Sequence, residues 1–284
     1  MTKPGAQEWY DGLIRHVAEI GVDMIKYDDI VPHPDEVEAV AKAIAKVDKP
    51  ILLSLSPGGK VNPKAISFFR MANMLRVTKD VWDEQSYIDE CFKAWRKWQG
   101  YEQPGFWIDM DMIPFGQLQL MSPPSVDSNK TVLDKGDIAL SGKGVHRECQ
   151  LTKPQMETFI TMRALAASPL MMGGDLPSLN DFALKLITNS DMLACNQNGV
   201  MGSLIIEEPG LETWRVFQQD FDNQGWIGIF NRSIDKISFS LDAYRLGFAD
   251  ETYTLYDVWN RKELLYGSMI DLEPNGVLFI KFGD

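Results

Sequence analysis

Short apolar runs along the chain end in polar residues that could carry carboxylate chemistry. The first such run ends in Lys26, Tyr27 and Asp28. Side chains alternate along a strand, so Lys26 and Asp28 share one face and Tyr27 points to the other. A lysine beside an aspartate favours the ionised carboxylate, and an ionised, positioned aspartate can act as a nucleophile. A structural ion pair explains the same two residues equally well.

A second group of polar residues, Arg76, Thr78 and Asp80, follows the third apolar run. The fork of donors on Arg76 could bind a hydroxyl or a carboxylate. Asp80 lies immediately before Val81 and Trp82, where it could equally be the N-cap of a helix. Taken by itself, the position of Asp80 favours that capping role.

A third group, Trp107, Asp109 and Asp111, has the spacing i, i+2, i+4. Two aspartates at this spacing are compatible with a metal or nucleotide site, although the pattern is short and common. Trp107 suits the apolar face of a sugar ring, but tryptophan is more often simply part of a core. This group leaves a metal-dependent enzyme open as one hypothesis.

Histidine and cysteine give little support to other chemistries. Neither residue type has the spacing of a metal site or a disulfide framework; the residues are His16, His33, His146, Cys91, Cys149 and Cys195. The sequence contains no Gly-x-Ser-x-Gly segment that would support an acyl-transfer triad. Carboxylate chemistry without a metal or a cofactor is therefore the leading interpretation.

The elements that carry these groups alternate between strands and helices over about the first 195 residues. Strands are predicted at residues 22–27, 51–55, 74–77, 106–110 and 170–172. Helical periods separate them, and one begins at Thr152 with Gln155 placed as in a capping box. This alternation implies parallel strands joined by helical crossovers. Because no GxGxxG turn supports a nucleotide-binding doubly wound sheet, the predicted α/β fold is a (β/α)₈ TIM barrel.

About five strand–helix units of that barrel are visible, whereas a closed barrel needs eight strands. We therefore expect three further units upstream of residue 1. From about residue 198, four alternating segments predict an antiparallel β-sandwich: 226–231, 237–241, 253–259 and 276–282. The predicted domains are a partial catalytic barrel at 1–197 and a β-sandwich domain at 198–284, with one long loop at 117–151.

The charge of the chain excludes two classes of partner. Asp and Glu number 40 against 28 for Lys and Arg, which gives a formal net charge of −12. A nucleic acid or an anionic membrane surface requires clustered cations, so neither is expected. No apolar run reaches the roughly 18 residues that span a bilayer. Oligomeric state and cellular location stay open.

Five short segments, taken together and in their order along the chain, indicate a protein family more specifically than any one of them does. They are GVDMIKYDD (21–29), LSLS (53–56), NMLRVTKDVWD (73–83), PGFWIDMDMIPFG (104–116) and ASPLMMGGDL (167–176). Together they resemble glycoside hydrolase family 27, the α-galactosidases and α-N-acetylgalactosaminidases. The resemblance covers roughly residues 21–197, and the C-terminal sandwich matches the layout of that family. It implies a retaining exo-α-glycosidase that hydrolyses terminal α-linked galactose by double displacement, with an α-galactoside oligosaccharide or glycoconjugate as substrate.

The resemblance also implies a role for each matching residue. Asp28 corresponds to the nucleophile that forms the covalent glycosyl-enzyme, and Asp80 corresponds to the general acid/base. A retaining mechanism needs these two carboxyls about 5–5.5 Å apart. The residues expected to contact the substrate are Lys26, Ser56, Gly59, Arg76, Trp107, Asp111 and Met112.

Two departures from the family pattern leave alternatives open. The run after the second strand is Ser56-Pro57-Gly58-Gly59, whose small side chains leave room for an acetamido group. An α-N-acetylgalactosaminidase is therefore the alternative specificity. The paired aspartates with which the family grips the remote sugar hydroxyls are not found, so a non-catalytic carbohydrate-binding remnant is a further alternative.

Overall fold

A computed structural model describes residues 1–28, 33–57, 61–120 and 146–283. The chain divides into two compact units. The first unit comprises Met1–Asp80 and Gly100–Asp111, and the second comprises Val81–Gln99 and Met112–Asp284. This division differs from the predicted domain boundary at residue 197, which stays a prediction.

The first unit is a parallel sheet with helices between its strands. Its elements in chain order are α1 (Ala6–Glu19), β1 (Met24–Asp28), α2 (Pro34–Ile44), β2 (Leu52–Ser56), α3 (Ile66–Phe69), β3 (Met74–Arg76) and β4 (Trp107–Asp109). The strands pair in the order β1-β2-β3-β4, each parallel to the next. The predicted α/β alternation and the first four predicted strands are confirmed.

Alternation along these strands separates an apolar face from a polar face. Leu55 pairs with Leu75, Leu75 pairs with Ile108, and all three side chains are fully buried. Burying each of them contributes about 1.5–3 kcal/mol, which fixes the register because a slip by one residue would expose the whole row. The residues that follow them, Ser56 and Arg76 among them, consequently point to the opposite face.

Helix α2 shows how the local sequence starts an element in this unit. Pro34 occupies the first turn, where its missing N–H needs no partner within the helix. Asp35 follows, and its negative charge suits the positive end of the helix dipole. Val37 and Val40 are buried three residues apart, so α2 packs along one apolar stripe.

The second unit contains four helices and ten strands among its described residues. The helices are α4 (Gln85–Trp98), α5 (Lys153–Leu165), α6 (Asp181–Ile187) and α7 (Ser190–Gln197). The strands are β5 (Gln117–Leu118), β6 (Arg147–Glu148), β7 (Ser203–Glu208), β8 (Leu211–Phe217), β9 (Gly225–Asn231), β10 (Ile237–Ser240), β11 (Thr254–Asp257), β12 (Lys262–Leu264), β13 (Met269–Leu272) and β14 (Val277–Gly283). A six-stranded antiparallel sheet has the order β12-β11-β14-β9-β8-β7, and β10 pairs with β13.

The C-terminal part is strand-rich, as predicted, but sequence reasoning found only half of its strands. The four predicted segments correspond to β9, β10, β11 and β14. Strands β7, β8, β12 and β13 were not predicted. Charged residues interrupt the apolar alternation in β7 and β8, and tertiary contacts satisfy them: Arg96 of α4 binds Glu207 in two hydrogen bonds and lies 3.1 Å from Glu212.

The remaining predictions for this unit have mixed outcomes. The capping box at Thr152 and Gln155 is formed and starts α5. The strand predicted at 170–172 is wrong, because Met172 makes only a single parallel bridge, to Ile113. Most of the predicted loop at 117–151 lies outside the described residues, and its two ends pair as β5 and β6. None of the described helices has the length and hydropathy needed to cross a bilayer.

Aromatic stacking forms the core between α4 and the six-stranded sheet. The rings of Trp95 and Trp214 stack with centroids 3.7 Å apart, and Phe230 meets Phe92 edge-on at 5.0 Å. The indole N–H of Trp95 donates to the carbonyl of Gly202. Because large buried rings combine apolar burial with specific geometry, they hold α4 in one orientation on the sheet.

Candidate active site

Four polar side chains occupy one row at the carboxyl end of the parallel sheet. In the strand register Asp28 lies opposite Ser56, and Arg76 lies opposite Asp109. Leu55 pairs with Leu75 one residue earlier, so Ser56 lies beside Arg76. Paired residues of parallel strands point to the same face, so these four side chains all lie on the face opposite the buried leucines.

A second row lies one layer deeper on the same face. Lys26 is opposite Ser54, Ser54 is opposite Met74, and Met74 is opposite Trp107. The predicted candidates Lys26 and Trp107 therefore share a face with Asp28. Adjacent strands are about 4.8 Å apart, so the two rows together cover a patch about as wide as one or two sugar rings.

Lys26 and Asp28 are both exposed, as a ligand-contacting pair requires. Tyr27 points away from them, and its hydroxyl lies 3.0 Å from the hydroxyl of Tyr10 on α1. Burial and this contact raise the pKa of Tyr27. In the described part of the chain neither Lys26 nor Asp28 takes part in an ion pair, so a structural ion pair between them is not supported.

Arg76 joins the segment after β3 to the segment after β4. Only 6% of this residue is exposed, and its Nη1 donates to Oδ1 of Asp80 at 2.8 Å and to Oδ1 of Asp111 at 3.1 Å. Burial by itself lowers the pKa of the guanidinium, but attraction to Asp111 and hydrogen bonds to both carboxylates outweigh it and raise the pKa overall. Arg76 therefore stays charged and holds both carboxylates at this edge of the sheet.

Asp80 is not a helix N-cap. Helix α4 begins at Gln85 with Glu84 in the capping position. The side chain of Asp80 is instead 66% exposed while one of its oxygens bonds to Arg76. The capping role that sequence position favoured is wrong, and Asp80 is a solvent-accessible carboxyl held by a buried cation.

Asp111 reaches Arg76 because the backbone turns sharply before it. Asp111 has a φ of 71°, in the left-handed region that aspartate tolerates better than most residues. Its backbone N–H donates to Oδ1 of Asp109 at 2.8 Å, which closes the turn. Asp111 therefore contacts Arg76, and Asp109 contacts the backbone. No cluster of three or more His, Cys, Asp or Glu able to hold a metal ion occurs among the described residues.

Two buried polar atoms in the row at the carboxyl end of the sheet have no partner among the residues described. Ser56 is 1% exposed, and its Oγ has no hydrogen-bond partner within the described parts of the chain. The same holds for Nε of Arg76. Buried polar groups are normally paired, so this face of the sheet has hydrogen-bonding capacity to offer a ligand.

Two of the predicted candidates lie outside this arrangement. Gly59 falls outside the described residues, so its role near the sugar 2-position stays a prediction. Met112 belongs to the second unit, where its carbonyl accepts a hydrogen bond from Nη2 of Arg163 at 3.3 Å. Gly173 leaves room for its side chain, because a Cβ added there would lie 2.4 Å from Sδ of Met112.

Sequence reasoning identified most of the row but missed how its members interact. The sequence does not predict the ion pair between Arg76 and Asp111, and it indicates Asp109 only as part of a metal or nucleotide site. The sequence feature that could have predicted their proximity is the position of Arg76 and Asp109, each at the end of a short strand. Because parallel pairing aligns the ends of neighbouring strands, the two residues lie side by side. No sequence pattern predicts the left-handed turn at Asp111.

Comparison with known proteins identifies the relatives of this chain. No family model matches it. An α-galactosidase of Oryza sativa subsp. japonica is 25% identical over 263 residues, which cover 90% of this chain and 55% of that protein. An α-N-acetylgalactosaminidase of Gallus gallus is 28% identical over 208 residues, covering 67% of this chain and 43% of that protein. The chain thus spans about half the length of these curated relatives.

A solved structure extends the similarity to the whole fold. A family 27 β-L-arabinopyranosidase from Geobacillus stearothermophilus superposes with a TM-score of 0.85 at 30% identity, covering 99% of this chain and 62% of that one. The five-motif resemblance to glycoside hydrolase family 27 is therefore confirmed along most of this chain.

Proposed function

We propose that this chain carries the two catalytic carboxyls of a retaining exo-α-glycosidase that hydrolyses terminal α-linked galactose. The observation that carries the proposal is the position of Asp28 and Asp80. Asp28 ends β1, and Asp80 is bonded to Arg76 at the end of β3, so only β2 separates their strands at one edge of one sheet. Similarity to the α-galactosidases supports the same assignment.

The proposed reaction proceeds by two displacements at the anomeric carbon. In the first, the ionised carboxylate of Asp28 attacks that carbon, the glycosidic C–O bond breaks, and the leaving oxygen takes the proton of Asp80. In the second, water attacks the glycosyl-enzyme and gives its proton to Asp80 while the bond to Asp28 breaks. Free sugar leaves, and both carboxyls return to their starting states.

Arg76 has opposing effects that the proposed mechanism must balance. A guanidinium favours the ionised form of a neighbouring carboxyl, whereas a general acid must begin protonated. Asp111 bonds to the same nitrogen of Arg76, so the attraction is divided between two carboxylates.

We further propose that the four parallel strands are part of a TIM barrel and that residues 198–284 form the β-sandwich domain that follows it. The carboxyl ends of barrel strands and the loops after them carry the active sites of such enzymes. Asp28, Ser56 and Arg76 all stand at such ends. The number of strands in the complete barrel is part of this proposal.

The substrate is proposed to be a pyranoside with the ring configuration of α-D-galactose. Ser56 is small, which leaves space for either a hydroxyl or an acetamido group at the 2-position. The Geobacillus structure is that of a β-L-arabinopyranosidase, and β-L-arabinopyranose has the galactose ring configuration without the hydroxymethyl group. Three aryl glycosides therefore need to be compared: the α-galactoside, its 2-acetamido analogue and the β-L-arabinopyranoside.

The test measures hydrolysis of these glycosides by the purified chain and by three variants. We expect Asp28→Asn and Asp80→Asn each to lower kcat/KM by about 10²-fold or more, whereas Asp48→Asn, which replaces an exposed aspartate of the same unit, has no effect. Mass spectrometry after reaction with a fluorinated, activated galactoside should find the sugar attached to the peptide that contains Asp28.

Each outcome separates the proposal from its competitors. Wild-type rates in Asp28→Asn would refute the assignment of the nucleophile. Galactose binding without hydrolysis or labelling would instead favour the carbohydrate-binding remnant. Loss of activity with a chelator would favour a metal-dependent enzyme built on Asp109 and Asp111.

A further inference from the structure

Thr78 is a buried hydroxyl beside the candidate site to which no role has been given. It lies in the bend between Arg76 and Asp80 and is only 4% exposed. Its Oγ1 has no hydrogen-bond partner among the residues that the structure describes. A threonine hydroxyl in such a place normally bonds to a nearby backbone group, so its lack of a partner requires an explanation.

The backbone places this hydroxyl on the polar face of the sheet. Strand pairing continues one residue past β3, because the N–H of Val77 donates to the carbonyl of Asp109 at 2.9 Å. The buried side chain of Val77 follows Arg76 and points to the opposite face. Thr78 is the next residue, and from this alternation we infer that its side chain returns to the face that carries Arg76.

Three unpartnered polar atoms therefore lie next to one another along the strand ends. Ser56 is the neighbour of Arg76 on the adjacent strand, and Thr78 follows Arg76 by two residues. Their Oγ and Oγ1 atoms, together with Nε of Arg76, are buried and have no hydrogen-bond partner within the described ranges of the chain. The N–H of Arg76 can only donate a hydrogen bond, whereas each of the two hydroxyls can donate or accept one. Together the three atoms can therefore make three hydrogen bonds to a ligand.

The charge around these atoms restricts that group to a neutral one. With Asp80 protonated, as the proposed general acid, two cations and three carboxylates flank the three atoms, which gives a net charge of −1; the charged residues are Lys26, Arg76, Asp28, Asp109 and Asp111. The guanidinium of Arg76 is already paired with two carboxylates. An anionic ligand such as a uronic acid would meet net repulsion here, whereas a neutral sugar hydroxyl or amide oxygen would not.

We propose that Thr78 is a substrate-binding residue, and that with Ser56 and Nε of Arg76 it selects neutral pyranosides over uronides. This inference rests on the proposed glycosidase function and deepens it by naming a specificity residue and excluding a class of sugar. The Thr78 hydroxyl contributes one hydrogen bond to the bound sugar and none to the folded protein.

The test compares ligand binding with thermal stability in matched variants. Thr78→Val removes only the hydroxyl, Thr78→Ser retains it, and Thr158→Val removes a buried hydroxyl that donates to the carbonyl of Asn275 at 2.7 Å. Affinity for methyl α-D-galactopyranoside and for the corresponding galacturonide is measured by calorimetry or by NMR titration. The melting temperature Tm of each variant is measured without ligand.

We expect Thr78→Val to weaken galactoside binding about fivefold, the equivalent of one ordinary hydrogen bond, and Thr78→Ser to restore it. The Tm of Thr78→Val should stay the same or rise, whereas that of Thr158→Val should fall by about 2–4 °C. The galacturonide should bind at least about tenfold more weakly than the galactoside.

The outcomes distinguish this inference from the proposed function. If the wild type binds galactoside and Thr78→Val binds it equally well, the role of Thr78 is wrong and the glycosidase proposal stands. A lower Tm for Thr78→Val would also overturn the inference, since the hydroxyl would then have a partner in the protein. If the wild type binds no sugar, both proposals fail.

Discussion

Glu157 gives this protein a pH-dependent stability that can be measured without any assumption about its function. The carboxyl is half-buried on helix α5 and lines a cavity of about 340 Å³ together with Asp257 of β11. Burial, reinforced by repulsion from Asp257, raises the pKa of Glu157 from its ordinary 4.5 to about 7, although Lys185 and Lys153 oppose the rise. The folded protein therefore holds this proton more tightly than the unfolded chain does.

The sign and size of the effect follow from that difference. Between about pH 4.5 and pH 7 the folded state binds more protons at Glu157 than the unfolded state, so the free energy of unfolding falls as the pH rises through this window. A rise of this size corresponds to roughly 3 kcal/mol without screening. Because solvent reaches part of the carboxyl, we expect about 1–2 kcal/mol.

Replacing Glu157 by glutamine removes the charge while keeping the shape of the side chain. At pH 8 the variant should be about 1–2 kcal/mol more stable than the wild type, which raises Tm by about 2–6 °C, and at pH 4 the two proteins should be nearly equal. Urea denaturation at both pH values measures the free energy. Glu251→Gln, in an exposed loop of the same unit, is the matched control. Equal effects of Glu157→Gln at both pH values, or a loss of stability at pH 8, would refute the reasoning.

Three further predictions concern the backbone and the buried ion pair. Asp111→Ala should destabilise the protein by about 2–4 kcal/mol in urea denaturation, because it leaves Arg76 with one carboxylate fewer and places alanine at a φ of 71°; equal stability of Asp111→Ala and wild type would contradict this. Gly174→Ala should abolish soluble expression, because its Cβ would lie 1.7 Å from the carbonyl oxygen of Phe115. Gly12→Ala is the contrasting case: it has no neighbour within 4 Å in helix α1 and should raise stability by about 0.5–1 kcal/mol.

The polar row could be predicted from the sequence because its causes are local. Apolar runs that end in a polar residue predict buried strands, and alternation then decides which side chain points where. Asp28 and Arg76 each stand at such an end, and parallel pairing aligns the ends of neighbouring strands. The same logic failed at 170–172, where three apolar residues form only one bridge, at Met172. A short apolar run indicates burial but not pairing.

The contacts among these residues could not be predicted, because they depend on backbone shape and on distant partners. Asp111 reaches Arg76 only through a left-handed turn, which aspartate adopts in a minority of cases. The charged strand β8 was missed because Glu212 looks incompatible with a buried strand until Arg96 and the indole of Trp214 are seen to bind it. Contacts that neutralise a buried charge in this way join segments far apart in sequence, so they are seen only in the folded structure.

The two kinds of carboxyl at the sheet edge differ in the way that the proposed mechanism requires. Asp109 and Asp111 are buried, and the backbone and Arg76 fix their positions. Asp28 and Asp80 are exposed. The nucleophile must reach the anomeric carbon, and the acid/base must reach the leaving oxygen and the attacking water, so both carboxyls must be accessible to the substrate. The exposed pair is therefore suited to reaction, whereas the buried Asp111, whose turn Asp109 closes, is suited to holding Arg76 against the strand end from which Asp80 projects.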